Sequence, residues 1–395
     1  LASRLFANCF MKNLYLYILL ILSVFGYTQV SLKGVVMSDS SDIKLDKVFT
    51  GTIPYIEIGS IDVNSKKVVY GNKGAVKGSV FCPENSILIS RVRPTRGAVV
   101  FIDKKIAVSS AFTIIKPKPE INPKLLFYFL AWNNKFFNYL GSKQKGTNYP
   151  SVRQSDILDF QISYPENRKI QQKIVEILDA IQEGVKTQEK IIEKTKELKK
   201  AMMQDLFKYG GPSFRKGRKL KKTEIGKIPE DWEVTAIEDI GEVVTGTTPS
   251  TKIENYWNGN IPFVTPVDME EKYIKNTKRY ISETGLKKAR LLPIRSILVV
   301  CIASLGKISI ASVPCISNQQ INAIICKKNV DNEYIYYAMH YKDNILKMWA
   351  SRTTSPIIKK STFEKFLLPL PNIEEQCEIA EILQTIDEKI EVEEK

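Results

Sequence analysis

Between Glu166 and Leu206, apolar residues recur at Ile170, Ile174, Ile177, Leu178, Ile181, Val185, Ile191, Ile192, Leu198, Met202 and Leu206. Intervals of three and four dominate, which is the helical period and not the strand period. No proline interrupts the stretch, and its single glycine, Gly184, is tolerable inside a helix. The positions between are mostly Lys, Glu and Gln, a solvated face. About 40 residues at ~1.5 Å each predict a rod of roughly 60 Å. A rod that long with so wide a stripe calls for a partner along its length. The plainer alternative is a core helix of one globular domain, but helices of that length are rare there.

The same chain supplies a partner. Ile174-Val175-Glu176-Ile177-Leu178 returns as Ile379-Ala380-Glu381-Ile382-Leu383. Gln171 returns as Gln376, each a few residues after a proline, Pro165 and Pro371. The second stripe continues through Ile386 and Ile390. The spacing predicts a helix pair in which Ile174, Leu178, Ile181, Val185 and Ile192 meet Ile379, Leu383, Ile386 and Ile390. The second helix has sixteen residues after Ile379, against more than thirty after Ile174, so it reads as a short arm.

The segments before the two helices also match. Residues 27–165 read as mixed α/β. Val30–Val36 and Ile53–Ile58 read as strands, and 86–89 and 98–102 are short apolar runs bounded by turns. Asn122-Pro123 starts a helix. Residues 230–371 repeat this order. Ile53-Pro54-Tyr55 returns as Ile261-Pro262-Phe263, and Asn85-Ser86-Ile87-Leu88-Ile89 as Arg295-Ser296-Ile297-Leu298-Val299. Ala107-Val108-Ser109 returns as Cys315-Ile316-Ser317, and Thr147 to Val152 as Thr353 to Ile358. Each match alone is weak; their shared order is strong evidence of a repeat. The expected divisions are 1–26, an apolar leader; 27–165, a first domain; 166–207, a first helix; 208–229, a basic linker; 230–371, a second domain; and 372–395, a second helix.

Charge narrows the function. The chain of 395 residues carries 58 Lys and Arg against 43 Asp and Glu, a net +15 with pI near 9.3. That favours a polyanionic partner without choosing between nucleic acid and an anionic membrane. The six cysteines, Cys9, Cys82, Cys301, Cys315, Cys326 and Cys377, are scattered, and His340 is the only histidine. A zinc site and a histidine-based triad are both disfavoured, and the thiols read as small core residues of a reducing compartment. Leu14–Phe25 is an apolar run of signal-peptide length, too short to span a membrane. Because the rest looks intracellular, it reads as a mis-called start or a replaced N-terminus in preference to a working signal.

No phosphate-cradling glycine motif appears, nor the Asn/Asp-Pro-Pro-aromatic tetrapeptide of amino-methyltransferases. The binding signal is better. Lys143, Lys145, Thr147, Asn148, Tyr149, Ser151, Arg153 and Gln154 lie on a polar, basic loop read as flexible. Lys and Arg can neutralise phosphates; Asn, Gln and Arg can read base edges. The second copy offers Arg352, Thr353, Thr354, Ser355, Lys359 and Lys360. Arg91, Arg93 and Arg96 add a basic turn, matched loosely by Ser304 and Lys307, while Asn318, Gln319 and Gln320 are short polar readers by a strand. The linker's Arg215, Lys216, Arg218, Lys219, Lys221 and Lys222 read as a solvated tether at least as readily as a phosphate contact.

At this point the sequence resembles a type I restriction–modification specificity subunit. Gly226-Lys227-Ile228-Pro229-Glu230-Asp231-Trp232-Glu233-Val234 is similar to that family's entry into a target-recognition domain. Leu368-Pro369-Leu370-Pro371, Glu375-Gln376 and Ile379 to Leu383 resemble its entry into a conserved helix. Tyr164-Pro165, Gln171-Gln172 and Ile174 to Leu178 repeat that order in the first copy, so the resemblance covers about 27–395. The entry motif before Trp232 has no counterpart in the first copy, where the apolar leader stands instead.

The resemblance implies an α+β fold of two repeated target-recognition domains separated by two long antiparallel coiled-coil helices with pseudo-two-fold symmetry. Each domain would read half of a split double-stranded DNA site, and the helices would set the spacing. The chain itself would hold no cofactor or metal and carry no catalytic residue. Modification subunits would bring S-adenosylmethionine and methylate adenine; restriction subunits would bring ATP and Mg. The setting would be cytoplasmic, without a membrane partner. Rival readings are a methyltransferase- or nuclease-associated enzyme fragment and an envelope-associated coiled-coil adaptor.

Overall fold

The computed structural model describes residues 27–37, 54–70, 74, 78–350 and 356–394. The leader 1–26 and Arg352, Thr353, Thr354 and Ser355 lie outside the described residues. The chain divides into two compact units, 1–190 with 394–395, and 191–393.

In the first unit, Thr28–Ser31 pairs antiparallel with Gln161–Tyr164, so the entering and leaving strands lie side by side. The strand expected over Val30–Val36 stops at Ser31. Leu32–Val35 turn into a 3₁₀ helix instead, because that turn buries both Leu32 and Val35, three residues apart. Likewise only Tyr55–Ile56 of the run 53–58 is strand, paired parallel with Ile106–Val108. At the centre, Ser86–Ser90 lies between Val99–Ile102 and Phe112–Ile115, antiparallel to both. All five of its residues are buried, which explains an unbroken apolar run where one wet face would have given alternation.

The helix Pro123–Ala131 starts where Asn122-Pro123 predicts. The Asn122 side chain accepts from the N–H of Lys124 at 3.0 Å and Leu125 at 3.4 Å, and proline at the first helical position loses no hydrogen bond. Leu125 to Ala131 are all buried.

The long helix runs Arg168–Tyr209 as one element of 42 residues. Its first half belongs to the first unit. Ile174, Val175 and Leu178 sit in that unit's core, with Ile170 and Ile181 packed against it. Ile174, Leu178 and Ile181, expected on the seam of the helix pair, are thus packed within their own domain. The aromatic helix 123–131 already offers an apolar face there, and Tyr128 donates to Asp179 of the long helix at 2.7 Å. Ile177, Ile191 and Leu198, read as part of the stripe, are exposed. Gln171, fully buried, accepts from Asn122 N–H at 2.6 Å and donates to Glu120 O at 2.9 Å and Pro165 O at 2.8 Å.

The second unit has the same plan. Glu233–Ala236 pairs with Leu367–Leu370. Ile297–Val300 lies between Ile308–Ala311 and Ile321–Cys326, and Trp257–Val264 runs parallel to Ile316–Ser317. Gly241–Thr245 and Tyr273–Ile274 extend the central sheet to five strands. The helix Asn332–Tyr341 is capped by Asp331. Gln376 repeats the role of Gln171, accepting from Asp331 N–H at 2.9 Å and donating to Pro371 O at 2.8 Å.

The closing helix spans Ile373–Glu394. Within this unit it runs antiparallel to the end of the long helix. Glu375 accepts from Gly211 N–H at 2.8 Å, while Asp387, twelve residues on, pairs with Lys199, twelve residues back. Leu206 and Phe207 share a core with Ile379, Ala380 and Leu383. Ile192 and Ile390 are buried, and Val185 and Ile386 are half-buried.

The basic stretch 215–222 is folded and not a tether. Leu220–Thr223 and Gly226–Pro229 form a hairpin. Arg218 is nearly buried, donating to Glu375 at 2.7 Å and Asp231 at 2.6 Å. Glu375, with no solvent exposure, also accepts from the Trp232 indole at 3.0 Å. A carboxylate held out of water requires such donors, and Arg218 is drawn in to supply them.

Candidate nucleic-acid interface

The candidate site of the first unit is a turn and a loop that hold each other. The strand Ser86–Ser90 runs into the turn 91–97, where Arg93 and Gly97 both have left-handed backbone, at φ 47° and 77°. Arg91 N–H donates to Ala111 O at 2.9 Å, and Arg91 O accepts from Val152 N–H at 2.9 Å. Arg93 N–H donates to Pro150 O at 2.6 Å. Lys145 and Ser151 exchange two backbone hydrogen bonds of 2.9 Å each, closing the loop between them. The loop read as flexible is thus a pinned turn, because its backbone finds partners in residues more than fifty positions earlier.

On this frame Lys143, Lys145, Thr147, Asn148 and Tyr149 are exposed, with Tyr149 at 73%. Arg96 and Arg153 are exposed as well, and Ser151 and Gln154 are half-buried. Arg153 N–H donates to Asp156 at 2.8 Å, fixing the start of the helix Gln154–Leu158. The Arg91 side chain turns back onto Ser110 O and stands less free than the sequence suggests. No acid interrupts the run from Lys143 to Arg153, so the exposed face of this loop is electropositive.

The second unit builds the same frame. Ala303 N–H donates to Pro356 O at 3.0 Å, Ile358 N–H to Cys301 O at 2.9 Å and Cys301 N–H to Gln320 O at 2.8 Å. Ala303 and Gly306 repeat the left-handed turn at φ 64° and 89°. Lys359 is exposed, and Lys360 pairs with Glu364 at 3.4 Å. Lys307 donates to Pro266 O at 2.8 Å, which commits its ammonium to the fold. Asn318 and Gln320 hydrogen-bond each other at 2.9 Å, and Gln319 is exposed and accepts from Thr248 at 2.6 Å. Sequence reasoning missed this threonine edge: Thr245, bonded to Asn322 at 2.8 Å, and Thr248. Only their place at the end of the strand Gly241–Thr245 brings them beside 318–320.

Burial pushes the thiols of Cys82, Cys301, Cys315 and Cys326 up to about 12, so they stay protonated; Cys377 is exposed. Burial, helped by Lys199, pulls His340 down to about 4, leaving a neutral ring against Tyr336. Among the described residues no cluster could hold a metal ion, and no helix is long and apolar enough to cross a membrane.

Two copies of one α+β scaffold on helices that share a repeated entry, the first copy presenting a basic polar loop, define the class of protein. The chain belongs to the family of type I restriction modification DNA specificity domains, whose pattern it matches over residues 25–197 and 229–395. Relatives include the type I restriction enzyme MjaIX specificity subunit of Methanocaldococcus jannaschii, 42% identical over 185 residues, 45% of this chain and 43% of that protein. The MjaVIII specificity subunit of the same organism is 27% identical over 89% of this chain and 83% of its own length. The HindI specificity subunit of Haemophilus influenzae is 25% identical over 74% of this chain and 78% of its own. The fold resembles that of a type I restriction–modification S subunit from M. genitalium, with TM-score 0.59 at 15% identity over 93% of this chain and 91% of that one. A chain from a type I R-M system solved for its assembly and conformational transition gives TM-score 0.61 at 19% identity, again over 93% and 91%.

Proposed function

We propose that this chain reads a bipartite double-stranded DNA site, one half with each unit, and directs modification and restriction subunits to it. The observation that carries the reading is the repeated frame. The hydrogen bonds of Arg93 to Pro150 and of Ala303 to Pro356 recur, while the side chains they present differ. A scaffold duplicated in backbone and diverged in loop sequence, Thr147-Asn148-Tyr149 against Thr353-Thr354-Ser355, suits two different half-sites. S-adenosylmethionine, and ATP with Mg, belong in this reading to the partner subunits, and the complex works in the cytoplasm.

The test is a genome-wide map of methylated adenines in cells making the assembled complex. Asn148→Ala relaxes one half of the recognised sequence and Arg352→Ala the other, each by ~1–3 kcal/mol of base discrimination. Replacing a phosphate-contacting lysine instead weakens all sequences and lowers the salt slope by about one unit. Four residues added to the long helix lengthen it by ~6 Å, which at ~3.4 Å per base pair widens the unread spacer by one or two base pairs. Loss of both halves together with Asn148→Ala refutes the division of labour. Methyl transfer or cutting by the purified chain alone refutes its role as a non-catalytic subunit.

A further inference from the structure

Arg93 touches the loop 145–151 in three ways. Its backbone N–H holds Pro150 O. Its guanidinium donates to Asn148 O at 3.2 Å. The same guanidinium lies 5.1 Å from the centre of the Tyr149 ring, within cation–π range. We propose that Arg93 is a positioning residue that fixes Asn148 and Tyr149 for base reading, and that its charge is not spent on the DNA backbone. This rests on the reading of the loop as a DNA-binding element.

Comparison of the units separates the backbone's part from the side chain's. Ala303 occupies the equivalent left-handed position and makes the equivalent hydrogen bond to Pro356. The backbone anchor therefore needs no arginine. What Arg93 adds is a clamp across the tip of the loop, one edge on a carbonyl and one face on a ring. The residues clamped are the exposed ones: Asn148, and Tyr149 at 73%. An exposed tip without such a hold samples many conformations, and ordering it at binding costs affinity and discrimination. A planar fork can satisfy the carbonyl and the ring together; a lysine ammonium of equal charge cannot.

The experiment uses the assembled complex carrying Arg93→Ala, Arg93→Lys or Tyr149→Leu, with two readouts. One is the map of methylated adenines; the other is the salt dependence of binding to DNA bearing the wild-type site. Arg93→Ala relaxes the half-site that Asn148→Ala also relaxes, by roughly tenfold in discrimination, leaves the other half intact and leaves the salt slope unchanged. Arg93→Lys gives the same relaxation despite its charge. Tyr149→Leu removes the clamped ring and relaxes that half-site as well; Arg93→Lys, which keeps the backbone anchor and the charge, carries the test where Arg93→Ala fails to fold. A phosphate contact would give the reverse: Arg93→Lys behaves as wild type, and Arg93→Ala lowers the salt slope by about one with both halves still read. That result overturns the proposal and leaves the bipartite reading standing. A wild-type complex that marks no bipartite sequence overturns both.

Discussion

The two units join their helices to their domains by different chemistry at equivalent places. Where the long helix carries Ile170, half-buried against the first core, the closing helix carries Glu375, wholly buried. An apolar side chain needs only a surface. The carboxylate needs Gly211, Arg218 and Trp232 around it. The pattern recurs one layer out. Lys124 pairs with Asp179 at 2.7 Å at a half-exposed position of the first unit. At the matching place the second has Glu333, paired with Lys272 at 2.6 Å, and that lysine lies 4.5–5.1 Å from the rings of Tyr273, Tyr336 and Tyr337. The backbone is shared; the second copy has moved charge inward and surrounded it.

The largest expected effect tests that contrast directly. Glu375→Ala strands Arg218 and the Gly211 amide and costs about 3–5 kcal/mol, whereas Ile170→Ala costs about 1–2 kcal/mol. Denaturant unfolding of each variant measures both, and equal losses would erase the distinction between the junctions. Gln171→Ala and Gln376→Ala sharpen it from the other side. Each leaves a helix-capping amide and a proline carbonyl unpaired, at about 1–3 kcal/mol. Gln171 also holds Glu120 O, so its loss should exceed that of Gln376 by about one hydrogen bond, ~1 kcal/mol.

His340 gives a smaller effect confined to the second unit. Its folded pKa, about 4, lies below the unfolded value near 6.5. Between those values the unfolded chain binds more protons, so its contribution to stability is full above pH 6.5 and falls as pH drops towards 4. The loss approaches roughly 3 kcal/mol by pH 4. Melting curves from pH 7 to 4.5 should slope less for His340→Gln than for wild type. The smallest effect is that of Lys124→Ala, under about 1 kcal/mol for a half-exposed pair; Glu333→Ala, which leaves Lys272 among three rings, should exceed it.

What the sequence revealed was local or periodic. The long helix, the Asn122 cap and the order of the repeat follow from spacing alone. What it hid was pairing across distance. A helical stripe shows that a face is covered but not by what, and Ile174 and Leu178 found their own domain. Arg218 looks like one more solvated charge until Glu375, 157 residues away, is folded against it. The loop 145–151 looks flexible because its anchors, Arg91 and Arg93, lie on an earlier turn. The exposed residues of the candidate interface were legible as a class; the roles of Arg91, Arg93 and Lys307 within it required the fold.

The side-by-side strands at the root of each domain have a genetic consequence. Thr28–Ser31 with Gln161–Tyr164, and Glu233–Ala236 with Leu367–Leu370, form necks four residue pairs wide through which the polypeptide enters and leaves. A recombination event with crossovers at the two sides of a neck would exchange an entire reading head without splitting its interior. A domain exchanged in this way would bring its strand frame and its loop together, already fitted to one another.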